Sequence, residues 1–333
     1  GSVAAAGTRF QQEAGIEDSP ELMLEDFTTL TGPHDMAELT RALVQESAGL
    51  VEWLVDVVEA RLAIVTDYRH VGHSVPRLHG PKSRRGQDLV DDLVRAVEKR
   101  GIPMALANPV RDLVVDDAGA VVGAVVQGDR TRETRIGARK VILATNGFGA
   151  NPELVRTYCP EIAGAQYFGG EGSTGEALVW GRRIGAALAN MGAYLGYAVV
   201  AYPHGSLLSW TTIEKGGVVV NAHGERFGDE SVGYSGFAGR VMRQPAPTFA
   251  IFDERIREVA AREEEFRKLL DLGGAKSATS VAGLAAAAGL DAHRLDATLT
   301  AYDAAARSRK PDPFGRAGFG LAPLEPPYFI CRV

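Results

Sequence analysis

The sequence has few cysteines, no excess of positive charge and no long apolar run. Two cysteines, Cys159 and Cys331, among 333 residues are too few for a disulfide framework or a four-thiolate zinc site. The 36 Lys and Arg against 42 Asp and Glu give a formal net charge of −6, which disfavours nucleic acid and anionic membranes as partners. No apolar run is long enough to cross a bilayer, and no charged-then-apolar leader opens the chain. We therefore expect a cytoplasmic globular protein.

Two kinds of catalytic site also lack their sequence signals. His70, His73 and His79 form the densest histidine group, but arginines rather than cysteines or carboxylates surround them. We therefore predict no metal site, and a polar substrate or cofactor rim is the better interpretation of these histidines. The chain contains no G-x-S-x-G motif, which disfavours a hydrolase with a nucleophile elbow.

Glycine, in contrast, is abundant. It accounts for 39 of 333 residues, whereas its usual share is roughly 7%. Two clusters stand out, one at 145–149 (TNGFG) and one at 169–176 (GGEGSTGE). Small residues at such positions leave backbone amides free to bind an anion or a flat polar ligand. Tight turns without a ligand are the alternative interpretation.

The order of helical and strand-like segments predicts an α/β protein. Helices are predicted after the Ser19-Pro20 start signal and over about 35–58, 87–100, 177–189, 253–271, 279–289 and 291–309. Strands are predicted at Val110–Val115, Val121–Gln127, Thr131–Ile136, Val141–Ala144, Gly217–Asn221 and 328–330. The first three of these strands resemble a meander. Val141–Ala144 is a continuous apolar run typical of a strand buried on both faces of a parallel sheet, and ligands bind at the carboxyl ends of such strands.

Arg226 is the most informative charged residue. It follows a predicted strand and turn, among Glu225, Asp229 and Glu230. An arginine keeps its proton at ordinary pH, so it can clamp a carboxylate or enolate oxygen. It can deliver a proton only where a neighbouring group resupplies one. A solvated ion pair is the alternative.

Several short motifs, in order, carry a resemblance to a known family. They are 18–23 (DSPELM), the meander, 141–148 (VILATNGF), 173–176 (STGE), 217–221 (GVVVN), 224–227 (GERF), 312–316 (DPFGR) and 326–328 (PPY). With them the chain resembles the flavoprotein subunits of the fumarate reductase and succinate dehydrogenase family, which includes soluble fumarate reductases and 3-ketosteroid dehydrogenases.

The resemblance implies a partial, doubly wound FAD-binding domain with a β-meander, an inserted α+β capping domain, and FAD held between them. We place the FAD-binding domain at 1–198, the capping domain at 199–322 and a return strand to the FAD-binding domain at 323–333. The family's opening G-x-G-x-x-G turn and its closing glycine-rich flavin segment are not in the sequence. We therefore expect this chain to be the core of a longer enzyme.

The resemblance also implies site residues. Those expected along FAD are Ala5, Ala6, Val110, Ala144, Thr145, Asn146, Gly147, Phe148, Thr174, Gly175 and Glu176. Arg226 matches the proton-donating arginine of the reductases, and Tyr234 resembles the base of ketosteroid dehydrogenases, with an ordinary packed tyrosine as the alternative. Tyr197 aligns with the substrate-orienting histidine of fumarate reductases, and His204 lies close by.

The dicarboxylate-gripping Thr-Glu pair of the family is only loosely matched, by Thr212 and Glu214. Fumarate itself is therefore not the expected substrate. We predict an FAD-dependent oxidoreductase that reduces or forms a C=C bond beside a carboxylate or carbonyl, in an unsaturated acid or ketone, with an unidentified electron donor or acceptor. A 3-ketosteroid-type dehydrogenase is the alternative enzyme, and a non-catalytic relative acting as a binding module is the alternative of another class.

Overall fold

Helices and strands are interspersed along the chain, as predicted for an α/β protein. The computed structural model describes residues 1–32, 36–66, 69–128, 132–317 and 320–333. These residues separate into two units, Gly1–Ala193 and Tyr194–Val333. The domain limits expected from the sequence, at 198 and 322, stay predictions.

The first unit contains six α-helices in its described residues. They are α1 (Arg9–Glu13), α2 (Pro20–Thr31), α3 (Ala37–Asp56), α4 (Gly86–Lys99), α5 (Pro152–Tyr158) and α6 (Glu176–Arg183). The predicted start of α2 is confirmed, because Ser19 is the N-cap, its side chain accepts from the Leu22 amide, and Pro20 is the first helical residue. The predicted helix over 35–58 is α3, although Asp35 lies outside the described residues.

The described residues of the first unit also form two three-stranded sheets. The short strands β1 (Val3–Ala4), β2 (Ala63–Ile64) and β3 (Leu78–Gly80) form an antiparallel sheet in the order β1-β3-β2. The strands β4 (Val110–Val115), β5 (Val121–Gln127) and β6 (Glu133–Gly137) form the predicted antiparallel meander. Its third strand begins two residues later than predicted, and Thr131 lies outside the described residues.

The prediction of a buried strand at Val141–Ala144 is wrong for the chain as described. These residues have no strand assignment, and Ile142 is 90% exposed. A strand requires a hydrogen-bonded neighbour, and none of the described residues pairs with this segment. The apolar side chains of this segment are therefore not buried in a sheet.

Helix α6 is shorter than predicted. It was expected over 177–189, but it ends at Arg183, and Gly185 follows with φ +87°. A glycine in this left-handed conformation just past a helix is a common terminator. The sequence therefore contained a stop signal for α6 in Gly185, but the small residues after this glycine led to a predicted helix that is too long.

The second unit contains six strands and six α-helices in its described residues. The strands are β7 (Val200–Ala201), β8 (Ser206–Leu207), β9 (Val218–Val220), β10 (Phe249–Asp253), β11 (Ala275–Ala278) and β12 (Tyr328–Arg332). The helices are α7 (Thr211–Glu214), α8 (Gly233–Met242), α9 (Glu254–Ala260), α10 (Glu264–Asp271), α11 (Val281–Ala288) and α12 (Ala292–Ser308). A turn splits the helix predicted over 253–271 into α9 and α10.

The core of the second unit surrounds a four-stranded antiparallel sheet in the order β11-β12-β10-β9. Every residue of β9 and β10 is buried, and β10 was not predicted from the sequence. In the segment 323–333, β12 pairs with β10 and β11, and the predicted return of this segment to the first domain stays a prediction. Throughout the described residues, no helix combines the length and the apolar character that crossing a membrane requires.

Candidate functional site

The two glycine clusters lie against each other in the first unit. We call residues 145–151 the first loop and residues 169–176 the second loop. The Asn146 side-chain amide donates to Ser173 Oγ at 3.0 Å, and the Ala150 amide donates to the Ser173 carbonyl at 2.9 Å. The Asn151 side chain donates to the Thr174 carbonyl at 3.0 Å. The predicted cofactor residues 145–148 and 174–176 are thus brought together.

Two buried polar atoms in these loops have no hydrogen-bond partner among the described residues. They are the Thr145 hydroxyl oxygen and Glu176 Oε2; the other Glu176 oxygen accepts from the Thr174 hydroxyl. A buried polar atom is normally satisfied by protein, water or ligand. A hydroxyl and a carboxylate oxygen left in this state fit a ligand that offers both hydrogen-bond acceptors and donors, as FAD does.

Gly175 is required by the second loop at the start of α6. Its φ is +89°, and a Cβ there would lie 2.5 Å from Leu154 Cδ1 and 2.9 Å from Phe148 Cβ. Among the described residues, no side chain caps the first turn of α6. The second loop therefore closes tightly on the first, and Glu176 places a carboxylate in the first turn of α6.

The other predicted cofactor residues have separate positions. The Ala5 and Ala6 amides are buried and already donate to Arg77 O (3.0 Å) and Ser47 Oγ (3.1 Å). Val110 begins β4 and is 39% exposed. Ala144, directly before the first loop, is exposed. Among the described residues, no hydrogen bond connects Ala5, Ala6 or Val110 to either loop.

Arg226 lies in the second unit, buried between two carboxylates. Its Nε donates to Glu230 Oε1 at 3.0 Å, and its Nη2 donates to Glu230 Oε2 at 2.5 Å. Its Nη1 donates to Asp312 Oδ2. The side chain is only 3% exposed. The solvated ion pair considered from the sequence is therefore a buried one, and Asp312, 86 residues away, could not be read from local sequence.

These contacts change the chemistry available to Arg226. Burial by itself lowers the pKa of its guanidinium, but the hydrogen bonds and charges of Glu230 and Asp312 outweigh burial and raise the pKa above its ordinary value. A guanidinium held this way is a poor proton donor. The geometry therefore favours ion pairing over substrate contact for this residue, and its predicted role as proton donor remains untested.

Arg316 belongs to the same group, although no role was predicted for it. Its Nη1 lies 3.3 Å from Glu230 Oε2, and the side chain is 1% exposed. The rings of Tyr302 and Phe314 pack near Arg226, with the guanidinium carbon 5.0 Å and 5.2 Å from their centroids. The 312–316 motif carried the family resemblance, and that was the only signal for Arg316.

Tyr234 and Tyr197, both predicted site residues, come together in an aromatic cluster with Trp210. The centroid of the Tyr234 ring lies 4.9 Å from that of Tyr197 and 6.2 Å from that of Trp210. The Tyr197 hydroxyl donates to Leu208 O at 2.9 Å and accepts from the Trp210 amide at 3.1 Å. Burial raises the pKa of Tyr197. Tyr197 therefore holds the backbone around Trp210 through these two hydrogen bonds. Trp210 was not predicted as a site residue from the sequence.

The remaining candidates lie in α7 and in the turn between β7 and β8. His204 is exposed in the turn between β7 and β8. Thr212 is buried, and its hydroxyl donates to Ser209 O at 2.7 Å, so it closes a local turn. Glu214 is half-buried at the end of α7.

Comparisons with known proteins place the chain among flavoproteins. Residues 1–330 match the family described as FAD binding domain. The probable fumarate reductase Ifc3 of Shewanella frigidimarina is 30% identical over 339 residues, covering 100% of this chain and 56% of the relative. A 4-oxocyclohex-2-ene-1-carboxylate 5-dehydrogenase of Sinomonas cyclohexanicum is 27% identical, covering 74% of this chain and 48% of the relative.

A similar solved structure is the open conformation of a flavocytochrome c3 fumarate reductase. It has a TM-score of 0.79 and 30% identity, and the match covers 100% of this chain and 58% of that one. The chain thus spans about half the length of these relatives. The predicted family resemblance, the fold class with part of an FAD-binding domain, and FAD as cofactor are confirmed.

Proposed function

Because the chain belongs to the FAD binding domain family, we propose that the protein is an FAD-dependent oxidoreductase that forms or reduces a C=C bond beside a carbonyl or carboxylate. The observation that carries the proposal is the joining of the first and second loops around two unsatisfied buried polar atoms. When bound, FAD would be the hydride acceptor or the hydride donor for one substrate carbon.

The two loops are the proposed cofactor-binding residues of this chain. Thr145 offers a hydroxyl, Glu176 a carboxylate oxygen, and the N-terminus of α6 the partial positive charge of its amides. Gly175 keeps side-chain atoms out of the space between the loops. Together these groups can hold polar and anionic parts of FAD.

Tyr234 is the proposed acid or base at the substrate. A tyrosine hydroxyl both donates and accepts a proton, whereas the guanidinium of Arg226 is held by Glu230 and Asp312. Tyr234 would remove the proton beside the new double bond in the dehydrogenase direction, or supply it in the reductase direction.

The aromatic cluster favours a cyclic ketone or enone over a small dicarboxylate as the substrate. The half-buried rings of Tyr197 and Tyr234 lie against the buried Trp210 and offer aromatic surface, which packs well against an apolar ring. A dicarboxylate needs cationic partners, and the guanidiniums of Arg226 and Arg316 are bound to carboxylates. The relative named for a cyclohexenone carboxylate supports the same substrate class.

The test is to purify the whole protein, record the visible flavin spectrum, and measure turnover of cyclohexenones, cyclohexanones and fumarate. Tyr234→Phe should lower kcat on the cyclic substrate by about 10²–10⁴-fold, the usual contribution of acid–base catalysis. Tyr202→Phe is the matched control, because Tyr202 is 57% exposed in the β7–β8 turn. A protein that neither contains nor takes up flavin contradicts the proposal. If the protein prefers fumarate and the Tyr234→Phe variant keeps its activity, Arg226 is favoured as the proton donor instead.

A further inference from the structure

We infer that Arg226, Glu230, Asp312 and Arg316 form one charge cluster that positions Tyr234 and Trp210 and does not itself touch the substrate. The inference rests on the proposed function for its catalytic consequence. The four side chains are buried in the second unit and carry two positive and two negative charges.

Glu230 is the centre of the cluster. Its Oε1 accepts from Arg226 Nε at 3.0 Å and from the Val219 amide of β9 at 3.1 Å. Its Oε2 accepts from Arg226 Nη2 at 2.5 Å and from Arg316 Nη1 at 3.3 Å. Four donors therefore hold this fully buried carboxylate, and one of them, the Val219 amide, belongs to β9 at the edge of the four-stranded sheet.

This carboxylate anchors the turn that leads into α8. Glu230 opens a 3₁₀ turn, Glu230–Val232, that leads directly into α8, and Tyr234 is the second residue of α8. Asp229 caps the same turn by accepting from the Ser231 amide at 2.8 Å. Because Tyr234 follows Glu230 by only four residues, displacement of the Glu230 carboxylate displaces the Tyr234 ring.

Asp312 closes the cluster from the other side. Its Oδ2 accepts from Arg226. Its Oδ1 accepts from the Phe314 amide at 2.9 Å and the Arg316 amide at 3.0 Å. The same carboxylate thus pairs with one arginine and folds the turn that carries the other.

Arg316 connects the cluster to the segment that carries Trp210. Its Nη2 donates to Ile213 O at 2.6 Å and Gly320 O at 2.9 Å, and its Nη1 donates to Gly217 O at 2.8 Å. Ile213 lies in α7, which follows Trp210 directly. Both aromatic residues are therefore tied to the same four charges.

The charges are balanced, which makes the cluster cooperative. Removing one member of a buried ion pair leaves its partner charged and uncompensated. Arg226 and Asp312 act through the same contacts, so their substitutions should not be additive. A catalytic arginine, in contrast, would lose its function when altered, whatever happens at Asp312.

The experiment compares Arg226→Lys, Asp312→Asn and the double variant in the whole protein with bound FAD. Arg294→Lys is the matched control, because Arg294 pairs with Glu225 at 3.2 Å on the exposed surface. Each single variant should lower kcat on the cyclic substrate by about 10–100-fold, as expected for misplaced catalytic groups. The double variant should be no worse than the worse single variant, and the pH profile of kcat should keep its wild-type pKa values.

Hydrogen exchange gives a readout that does not need turnover. Arg226→Lys and Asp312→Asn should each raise exchange in 211–217 and 230–242 and leave β4 and β5 of the meander, residues 110–127, unchanged. Absence of turnover in the wild-type protein would contradict the proposed function alone, since exchange still tests the cluster. A shifted pH profile in Arg226→Lys with normal kcat in Asp312→Asn would overturn the inference, as would unchanged exchange in both variants.

Discussion

Replacement of Gly175 by alanine should destabilise the protein because the second loop leaves no room for a side chain. The backbone φ of +89° is unfavourable for alanine by about 1–2 kcal/mol. The added Cβ would also lie 2.5 Å from Leu154 Cδ1 and 2.9 Å from Phe148 Cβ, and such crowding costs about 1–3 kcal/mol. A less flexible unfolded chain offsets about 0.4–1 kcal/mol. The net loss in the free energy of unfolding is therefore about 1–5 kcal/mol.

The assay is urea unfolding of the whole protein, with Gly172→Ala as the matched control from the same loop. Nothing lies within 4 Å of a Cβ added at Gly172, so that variant should change stability by less than about 0.5 kcal/mol. Gly175→Ala should also weaken retention of FAD during dialysis, because the loop cannot close on residues 145–148. Equal stability and equal flavin retention in the two variants would refute the reasoning.

Two further predictions concern buried polar groups. Burial by itself raises the pKa of Asp92, but hydrogen bonds from Arg61 and Arg95 outweigh burial and lower the pKa from 3.8 to about 2. The contribution of Asp92 to the free energy of unfolding is therefore complete above about pH 4 and is lost as the pH falls toward 2. Because both arginines are exposed and screened, we expect about 1–2 kcal/mol, and acid titration of stability in Asp92→Asn should lack this component. Tyr302→Phe removes the 2.8 Å hydrogen bond to the buried Gly216 carbonyl and should cost about 1–3 kcal/mol by chemical unfolding; an unchanged midpoint would contradict this account.

The local signals in the sequence predicted local structure well. Ser19-Pro20 marked the start of α2, and alternation with short polar turns marked the meander β4–β6. Both depend on residues a few positions apart, where caps and hairpin turns act. The two glycine clusters were also visible, and the structure joins them in the first unit through Asn146 and Ser173.

Features that depend on distant residues could not be read from the sequence. The segment Val141–Ala144 has the composition of a buried strand, but a strand exists only beside a hydrogen-bonded neighbour. No neighbour is present among the described residues, and Ile142 is exposed.

The sequence by itself determined the family, through the order of its short motifs, and the local elements that caps and turns specify. Only the tertiary structure decided the surroundings of Arg226, because Asp312 is 86 residues away in the chain and no local pattern specifies which carboxylate reaches a given guanidinium. It likewise assembled Tyr197, Trp210 and Tyr234 into one cluster. Burial and ion pairing determine the pKa of a side chain and which of its donors remain available, and both depend on tertiary packing.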